Sequence, residues 1–137
     1  MKKKYALVTG ASSGIGLEIS KILASIGFSL VLVARREEKL KGVTKTLINK
    51  YDITADYCIG DLENPNTPQK IYDFCHKKGY FISLLVNNAG YALPETFHKT
   101  SMEAEEKFLR VLGVSVIALT KLFLIDMIKA KQGKIMM

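Results

Sequence analysis

Cysteine and histidine are scarce, two of each in 137 residues. Cys58 and Cys75 lack both CxxC spacing and the density of a disulfide scaffold, so they read as buried free thiols of a reducing, cytoplasmic protein. His76 and His98 have no cysteine or carboxylate at metal-ligand spacing, and a metal centre is not expected. Also missing is an uncharged apolar run of membrane length. The most hydrophobic window, from Val111 to Ile128, contains Lys121 and Asp126 and is expected as a buried helix, not a membrane span. Lys2, Lys3 and Lys4 do not open a secretory signal, because Gly10, Ser12, Ser13, Gly14 and Gly16 interrupt the apolar stretch behind them. Nor is there a block of like charge. The formal net charge is +7, yet the lysines are scattered: Lys39, Lys41 and Lys45 in one helical pattern, Lys77 and Lys78 ending another. Basic and aromatic residues do not interleave on one face, so the positive balance suits phosphate-bearing small ligands and no nucleic-acid partner is expected.

What is present is an ordinary globular composition, 48% apolar and 24% charged, at a length that suits one domain with a real core. Strand and helix patterns alternate throughout. Tyr5 to Thr9 is a short apolar run stopped by Gly10. Apolar residues at Ile15, Ile19, Ile22, Leu23 and Ile26 have helical spacing, and Gly27 stands where a C-terminal cap belongs. Residues 29–34 (SLVLVA) are continuously apolar, as in a strand covered on both faces. A charged helix from about Arg36 to Lys50 turns Leu40, Val43, Leu47 and Ile48 inward, and a third strand spans 55–59. Thr67-Pro68 predicts a helix start with a hydroxyl cap, its inner side formed by Ile71, Phe74 and Cys75. A fourth strand spans 81–86. Thr100-Ser-Met-Glu103 reads as a capping box opening a long helix to about Ala130, and the last residues begin a fifth strand. Met127, Met136 and Met137 are expected to fill core; Asp52 and Asp56 are single loop or strand-edge acids. Such alternation implies parallel strands joined by right-handed crossovers, in the order 3-2-1-4-5, with a ligand crevice at the carboxyl ends where the order reverses. The expected fold is α/β, a doubly wound parallel sheet of the Rossmann type.

The chemistry concentrates at Thr9-Gly-Ala-Ser-Ser-Gly-Ile-Gly16, between a strand and a helix. Gly10 permits the turn, Gly14 and Gly16 let a pyrophosphate and the sheet approach the backbone, and the helix N-terminus offers unpaired N–H groups and a positive dipole end. Ser12, Ser13 and Ile15 belong to the same loop. About twenty residues beyond the loop, where an acidic residue would hold the ribose 2′-hydroxyl of NAD, stand Ala34 and Arg35. A guanidinium there can pair with a 2′-phosphate, so Arg35, with Arg36 beside it, favours NADP(H). The GxxxGxG string resembles the glycine motif of the short-chain dehydrogenase/reductase family, and the resemblance covers nearly the whole chain. It implies that Asp61-Leu62 contacts the adenine ring. It also implies that Asn87-Asn88-Ala89-Gly90 lines the cofactor and steadies the central sheet.

The same resemblance implies a catalytic tyrosine, a lysine four positions later, and a serine. None is found in that pattern. Tyr5, Tyr51, Tyr57, Tyr72, Tyr80 and Tyr91 are followed four residues on by Thr9, Ala55, Asp61, His76, Leu84 and Glu95. An asparagine that many members use to organise a relay water is likewise absent; Leu112, or with a small offset Ser115, takes its place. The chain therefore reads as one incomplete NADP-binding domain over 1–137, truncated in or just after the fifth strand and catalytically inactive by itself. The long helix is apolar nearly all round. Self-association is expected through 101–130 or through the strand edge near 134–137. The alternatives are a non-catalytic dinucleotide-binding module and a purely structural oligomerising fragment.

Overall fold

The computed structural model describes residues 3–137; of the amino-terminal lysines, Lys2 lies outside them. Among the described residues the strands β1 (Lys4–Thr9), β2 (Ser29–Ala34), β3 (Ala55–Ile59), β4 (Phe81–Val86) and β5 (Lys134–Met136) form one sheet in the order β3-β2-β1-β4-β5. All four pairings are parallel, with Val8 opposite Leu32 on one side and Val86 on the other. The sheet is doubly wound, as the alternating pattern predicts. β2 is buried along its whole length because helices cover both faces, which is why its sequence does not alternate.

Helices α1 (Gly14–Ser25) and α2 (Glu37–Tyr51) cover one face, packing Leu23, Ala24, Leu40 and Leu47 against Ala6, Val8, Leu30 and Leu32. Across the sheet lie α3 (Thr67–Lys77) and α5 (Ser115–Lys129), which pack Ile71, Cys75, Leu119, Phe123 and Met127 on Leu7, Val31, Val33 and Leu85. Each such leucine taken fully from water stabilises the fold by roughly 2 kcal/mol.

Periodicity locates α1, and only part of its apolar set is buried. Gly16, Ser20, Leu23 and Ala24 face the sheet, whereas Ile15, Ile22 and Ile26 are between 61% and 73% exposed. Small residues at 16, 20 and 24 let this helix ride close to β1, and bulk on that side would push it away. Ser20, like Thr44 and Ser115, satisfies its buried hydroxyl by donating to the carbonyl four residues back. Gly27, at φ +88°, closes α1 as expected, with the Phe28 amide donating to the Leu23 carbonyl. In α2, Thr44 joins Leu40 and Leu47 inside, while Val43 is half-buried and Ile48 is exposed.

Two caps also differ. The Thr67 hydroxyl does not cap α3; it donates to the Asp61 carbonyl at 2.6 Å and pins the preceding loop, while Asn66 occupies the cap position. At the long helix the cap is Ser101, whose Oγ accepts from the Ala104 amide at 3.1 Å. Thr100 instead donates to Glu105, and Glu103 pairs with Lys107 at 2.9 Å.

The long helix is continuous from Met102 to Lys129 but contains a wide π turn at Arg110–Val114 between α4 (Met102–Leu109) and α5. Within it, Val111, Ser115, Leu119, Phe123 and Met127 form the buried stripe. The helix is long and apolar enough to cross a membrane by length and composition, and only 28% of its most apolar window is buried. The expectation of a buried helix is thus met on one side only: Leu109, Leu112, Val114, Ile117, Ile125 and Ile128 are exposed. Met136 and Met137 are exposed as well, and Met127 alone of that group fills core.

Cys75 is buried and Cys58 half-buried; both are free, and burial pushes both thiols up, Cys75 to about 12. His76 lies at the surface, its Nε2 3.0 Å from Asp126 Oδ2, which also accepts from the Tyr72 hydroxyl at 3.0 Å. Burial works to raise the Asp126 carboxyl, but these two partners outweigh it and hold the group below its usual value. Asp56, on the edge strand β3, accepts from Tyr80 at 3.2 Å and pairs with Lys78.

Candidate functional site

The segments that follow β1, β2, β3 and β4 converge at the carboxyl ends of the strands, where a cavity of about 360 Å³ opens. It lies at the point where the strand order reverses. From the first loop come Gly10, Ser12, Ser13, Gly14 and Ile15; from the second, Val33, Ala34, Arg35 and Arg36. The third contributes Gly60, Asp61 and Leu62, the fourth Asn88, Ala89, Gly90 and Tyr91, and the π turn adds Val111.

Twelve of the fourteen residues that the sequence assigns to the cofactor line this one cavity; Gly16 and Asn87 do not. Gly16 has its place beneath the loop. A Cβ built on Gly16 would stand 2.2 Å from the Gly10 carbonyl oxygen and 2.4 Å from Asn88 Nδ2, so the missing side chain serves helix-to-loop packing. Gly10 and Gly14 adopt φ values of +65° and +57°, which turn the chain from β1 into α1. Ser13 takes the N-cap position without a side-chain cap bond among the described residues. The amides that open α1 therefore face the cavity without that acceptor, and the positive end of the helix dipole faces it too.

Asn88 fastens the fourth loop to the first. Its Nδ2 donates to the carbonyls of Thr9 at 3.1 Å and Gly10 at 3.3 Å, while the amides of Asn88 and Ala89 both donate to Thr9 Oγ1 at 3.0 Å. Asn87 reaches outward instead: its amide donates to the Met136 carbonyl and its side chain to Thr120. The resemblance implied that this stretch steadies the central sheet, and the bonds from β1 across β4 to β5 do so.

On the opposite wall, Arg35 and Arg36 carry two positive charges, and neither makes an ion pair among the described residues. Asp61 Oδ1 accepts from the Glu63 amide at 3.0 Å and is held in its own turn. Ala34, which stands beside Arg35 at the end of β2, lines the cavity too, and four further lining residues carry no motif. Gly60 and Tyr91 are immediate neighbours of Asp61 and Gly90 and follow from extending each motif by one residue. Val33 carries no such signal, and Val111 reaches the cavity only because of the π turn.

Elsewhere, a hollow of about 620 Å³ lies at the amino end of the sheet among Lys4, His76, Tyr80, Asp126 and Lys129. It is larger, but the helices that reach it, α3 and α5, present their C-terminal ends, and its glycine turn at Gly79 closes α3 instead of opening a helix, so volume does not decide between the two. Burial raises Tyr5, Tyr72, Tyr80 and Tyr91, with Asp56 next in effect at Tyr80, which is pushed up to about 12. Leu112 packs toward Gly90 from an exposed position, whereas Ser115 is buried with its hydroxyl on the Val111 carbonyl.

A doubly wound sheet with a glycine turn and an open helix N-terminus at its switch point defines a Rossmann-type protein. The sequence profile described as short chain dehydrogenase matches residues 4–137, and the chain belongs to that family. It is 36% identical over 122 residues to the very-long-chain 3-oxoacyl-CoA reductase of Candida glabrata, covering 86% of this chain and 34% of that protein. It is 30% identical over 135 residues to the 3-oxoacyl-(acyl-carrier-protein) reductase FabG of Aquifex aeolicus, covering 98% and 54%. Among solved structures, L-sorbose reductase from Gluconobacter frateurii complexed with NADPH and L-sorbose superposes with a TM-score of 0.92 at 27% identity, covering 98% of this chain and 51% of that one. The chain thus spans between about a third and a little over half of these proteins.

Proposed function

We propose that residues 1–137 form one unit that binds NADP(H), the cofactor-holding portion of an oxidoreductase that transfers hydride between NADP(H) and a carbonyl or alcohol. The diphosphate lies on the opening amides of α1, among Gly10, Ser12, Ser13, Gly14 and Ile15, with Gly16 supporting the turn from below. The adenine lies against Asp61 and Leu62, the adjoining ribose against Asn88, Ala89 and Gly90, and the 2′-phosphate on Arg35 with Arg36. One observation carries this reading: Arg35 and Arg36, neither ion-paired among the described residues, line the same crevice as the N-terminus of α1, which has no side-chain cap bond among them. The two relatives named above are 3-oxoacyl thioester reductases and the solved neighbour a ketose reductase, so a ketone is the proposed substrate class.

We further propose that this chain alone binds without turnover. No tyrosine has a lysine four positions on, and four of the six phenols are raised, which opposes proton transfer at neutral pH. Titration of NADPH and NADH by nucleotide fluorescence tests both parts. NADPH is expected to bind more tightly, and Arg35→Ala to weaken it by about 10- to 100-fold, the value of one charge-assisted phosphate contact, with NADH unaffected. Equal affinity for both nucleotides, unchanged in Arg35→Ala, sinks the 2′-phosphate assignment. Oxidation of NADPH by the chain with any ketone sinks the claim of inactivity.

The exposed apolar side of α5 supports a second part of the proposal, self-association into a homo-oligomer. Ile117→Lys is expected to shift the sedimentation coefficient toward that of a 15.3 kDa monomer. A wild-type chain that stays monomeric at all concentrations removes this part.

A further inference from the structure

Among the described residues, one side-chain bond joins the loops after β3 and β4 across the cavity. Tyr91 Oη donates to Glu63 Oε1 at 3.2 Å, and Phe108 supports the tyrosine ring edge-on with centroids 5.6 Å apart. Strands β2 and β1 lie between β3 and β4, so the bond links loops whose strands are three spacings, roughly 14 Å, apart. Arg35, Asp61 and Tyr91 line the cavity on this side. Asp61 Oδ1 accepts from the Glu63 amide and Glu63 Oε1 from the Tyr91 hydroxyl; Arg35 pairs with neither carboxylate among the described residues. The Arg35 charge nevertheless reaches this hydroxyl, opposing the rise that burial and Glu63 impose on it. Because Tyr91, which holds Glu63, lines the same cavity as Arg35, a carboxylate released from it would be free to turn to a guanidinium that has no ion pair among the described residues, and arginine and carboxylate form a planar two-bond pair readily.

We propose that Tyr91 is a specificity-determining positioning residue: its hydroxyl keeps the Glu63 carboxylate off Arg35, leaving that guanidinium free for the 2′-phosphate of NADP(H). The inference rests on the Arg35 assignment above. It follows that a released Glu63 competes with a 2′-phosphate for Arg35 but not with a 2′-hydroxyl, to which a carboxylate can instead be an acceptor.

NADPH and NADH are titrated against the wild type, Tyr91→Phe, Glu63→Gln and the double variant, with thermal melts alongside. Phenylalanine keeps the ring on Phe108 and removes only the hydroxyl. Tyr91→Phe is expected to weaken NADPH by about threefold to fivefold, the scale of a competing ion pair at a half-exposed site, without weakening NADH. In Tyr91→Phe/Glu63→Gln, where no carboxylate remains to compete, NADPH affinity is expected to return to within about twofold of wild type. A purely structural role would instead lower both nucleotides together with the melting temperature and would not be rescued, and that result overturns the proposal. So does an unchanged nucleotide ratio in Tyr91→Phe, the outcome if Glu63 turns to Lys107. If the wild type itself shows no preference for NADPH, the Arg35 reading and this one fall together; if the preference stands and survives Tyr91→Phe, the role of Tyr91 alone is lost.

Discussion

Gly16→Ala is expected to lower the unfolding free energy by about 3 kcal/mol, the upper part of the range for overpacking. The added Cβ meets the Gly10 carbonyl oxygen at 2.2 Å, its carbon at 2.8 Å and Asn88 Nδ2 at 2.4 Å. Two of these are backbone atoms, and neither can swing aside as a side-chain tip would. Either α1 lifts from β1, opening the contact at Ser20 and Ala24, or the glycine turn shifts and the Asn88 bonds to Thr9 and Gly10 lengthen. Both responses move the amides that face the cavity, so NADPH binding is expected to fall below detection as well. Gly42→Ala supplies the control, since it is also a helical glycine replaced by alanine. Its Cβ meets nothing within 4 Å among the described residues, and the change is expected to stabilise by about 0.5–1 kcal/mol. Chemical denaturation of the two variants should therefore move in opposite directions. Equal shifts would mean that helix propensity, and not the close approach at Gly16, governs this position.

Thr9→Val carries the second large effect. Thr9 is 1% exposed, and its Oγ1 accepts from the amides of both Asn88 and Ala89. Valine fills the same volume but accepts nothing, leaving the Ala89 amide without its acceptor at a half-buried position. A stranded buried donor costs about 1–3 kcal/mol, and the expected loss here is about 2 kcal/mol. The turn at Ala89-Gly90 also loses its tie to the glycine loop, so NADPH affinity is expected to drop alongside. Thr9→Ser keeps the hydroxyl and loses only a methyl group, with an expected loss of about 1 kcal/mol or less. The comparison isolates the hydrogen bonds from the packing. If serine and valine destabilise equally at this position, the hydroxyl does not hold the two loops together.

Elements with a single strong local cause were legible in the sequence. β2 and β4 are largely apolar runs that stop at Arg35 and at Asn87-Asn88, and their observed limits match the expected ones. Gly10 and Gly27 mark a turn and a cap because both need positive φ, which local chemistry alone dictates. The caps at Thr67 and Thr100 were misplaced for the opposite reason. Several hydroxyls compete near each helix start, and which of them turns to the helix depends on neighbours distant in sequence or on the exit angle of the chain. Thr67 was taken by the Asp61 carbonyl, and Ser101 displaced Thr100 by one position. In α1, the apolar spacing of Ile15, Ile19, Ile22, Leu23 and Ile26 locates the helix, but Gly16, Ser20 and Ala24 share the buried side with Leu23. Proximity of the helix to the sheet selects for small side chains, and no periodicity of bulk reports that.

By itself, the order of residues determined the alternation of strand and helix, the positions of the phosphate-type glycine turn and of Arg35, and the absence of a tyrosine–lysine pair. Each follows from local periodicity, backbone freedom or simple adjacency. Only the tertiary structure decided that Gly16 serves packing, that Val111 and Tyr91 join the cavity, that Glu63 is held by a hydroxyl from across the sheet, and which side of the long helix stays exposed. Those outcomes depend on distances between segments remote in the chain, and such distances exist only once the sheet has assembled.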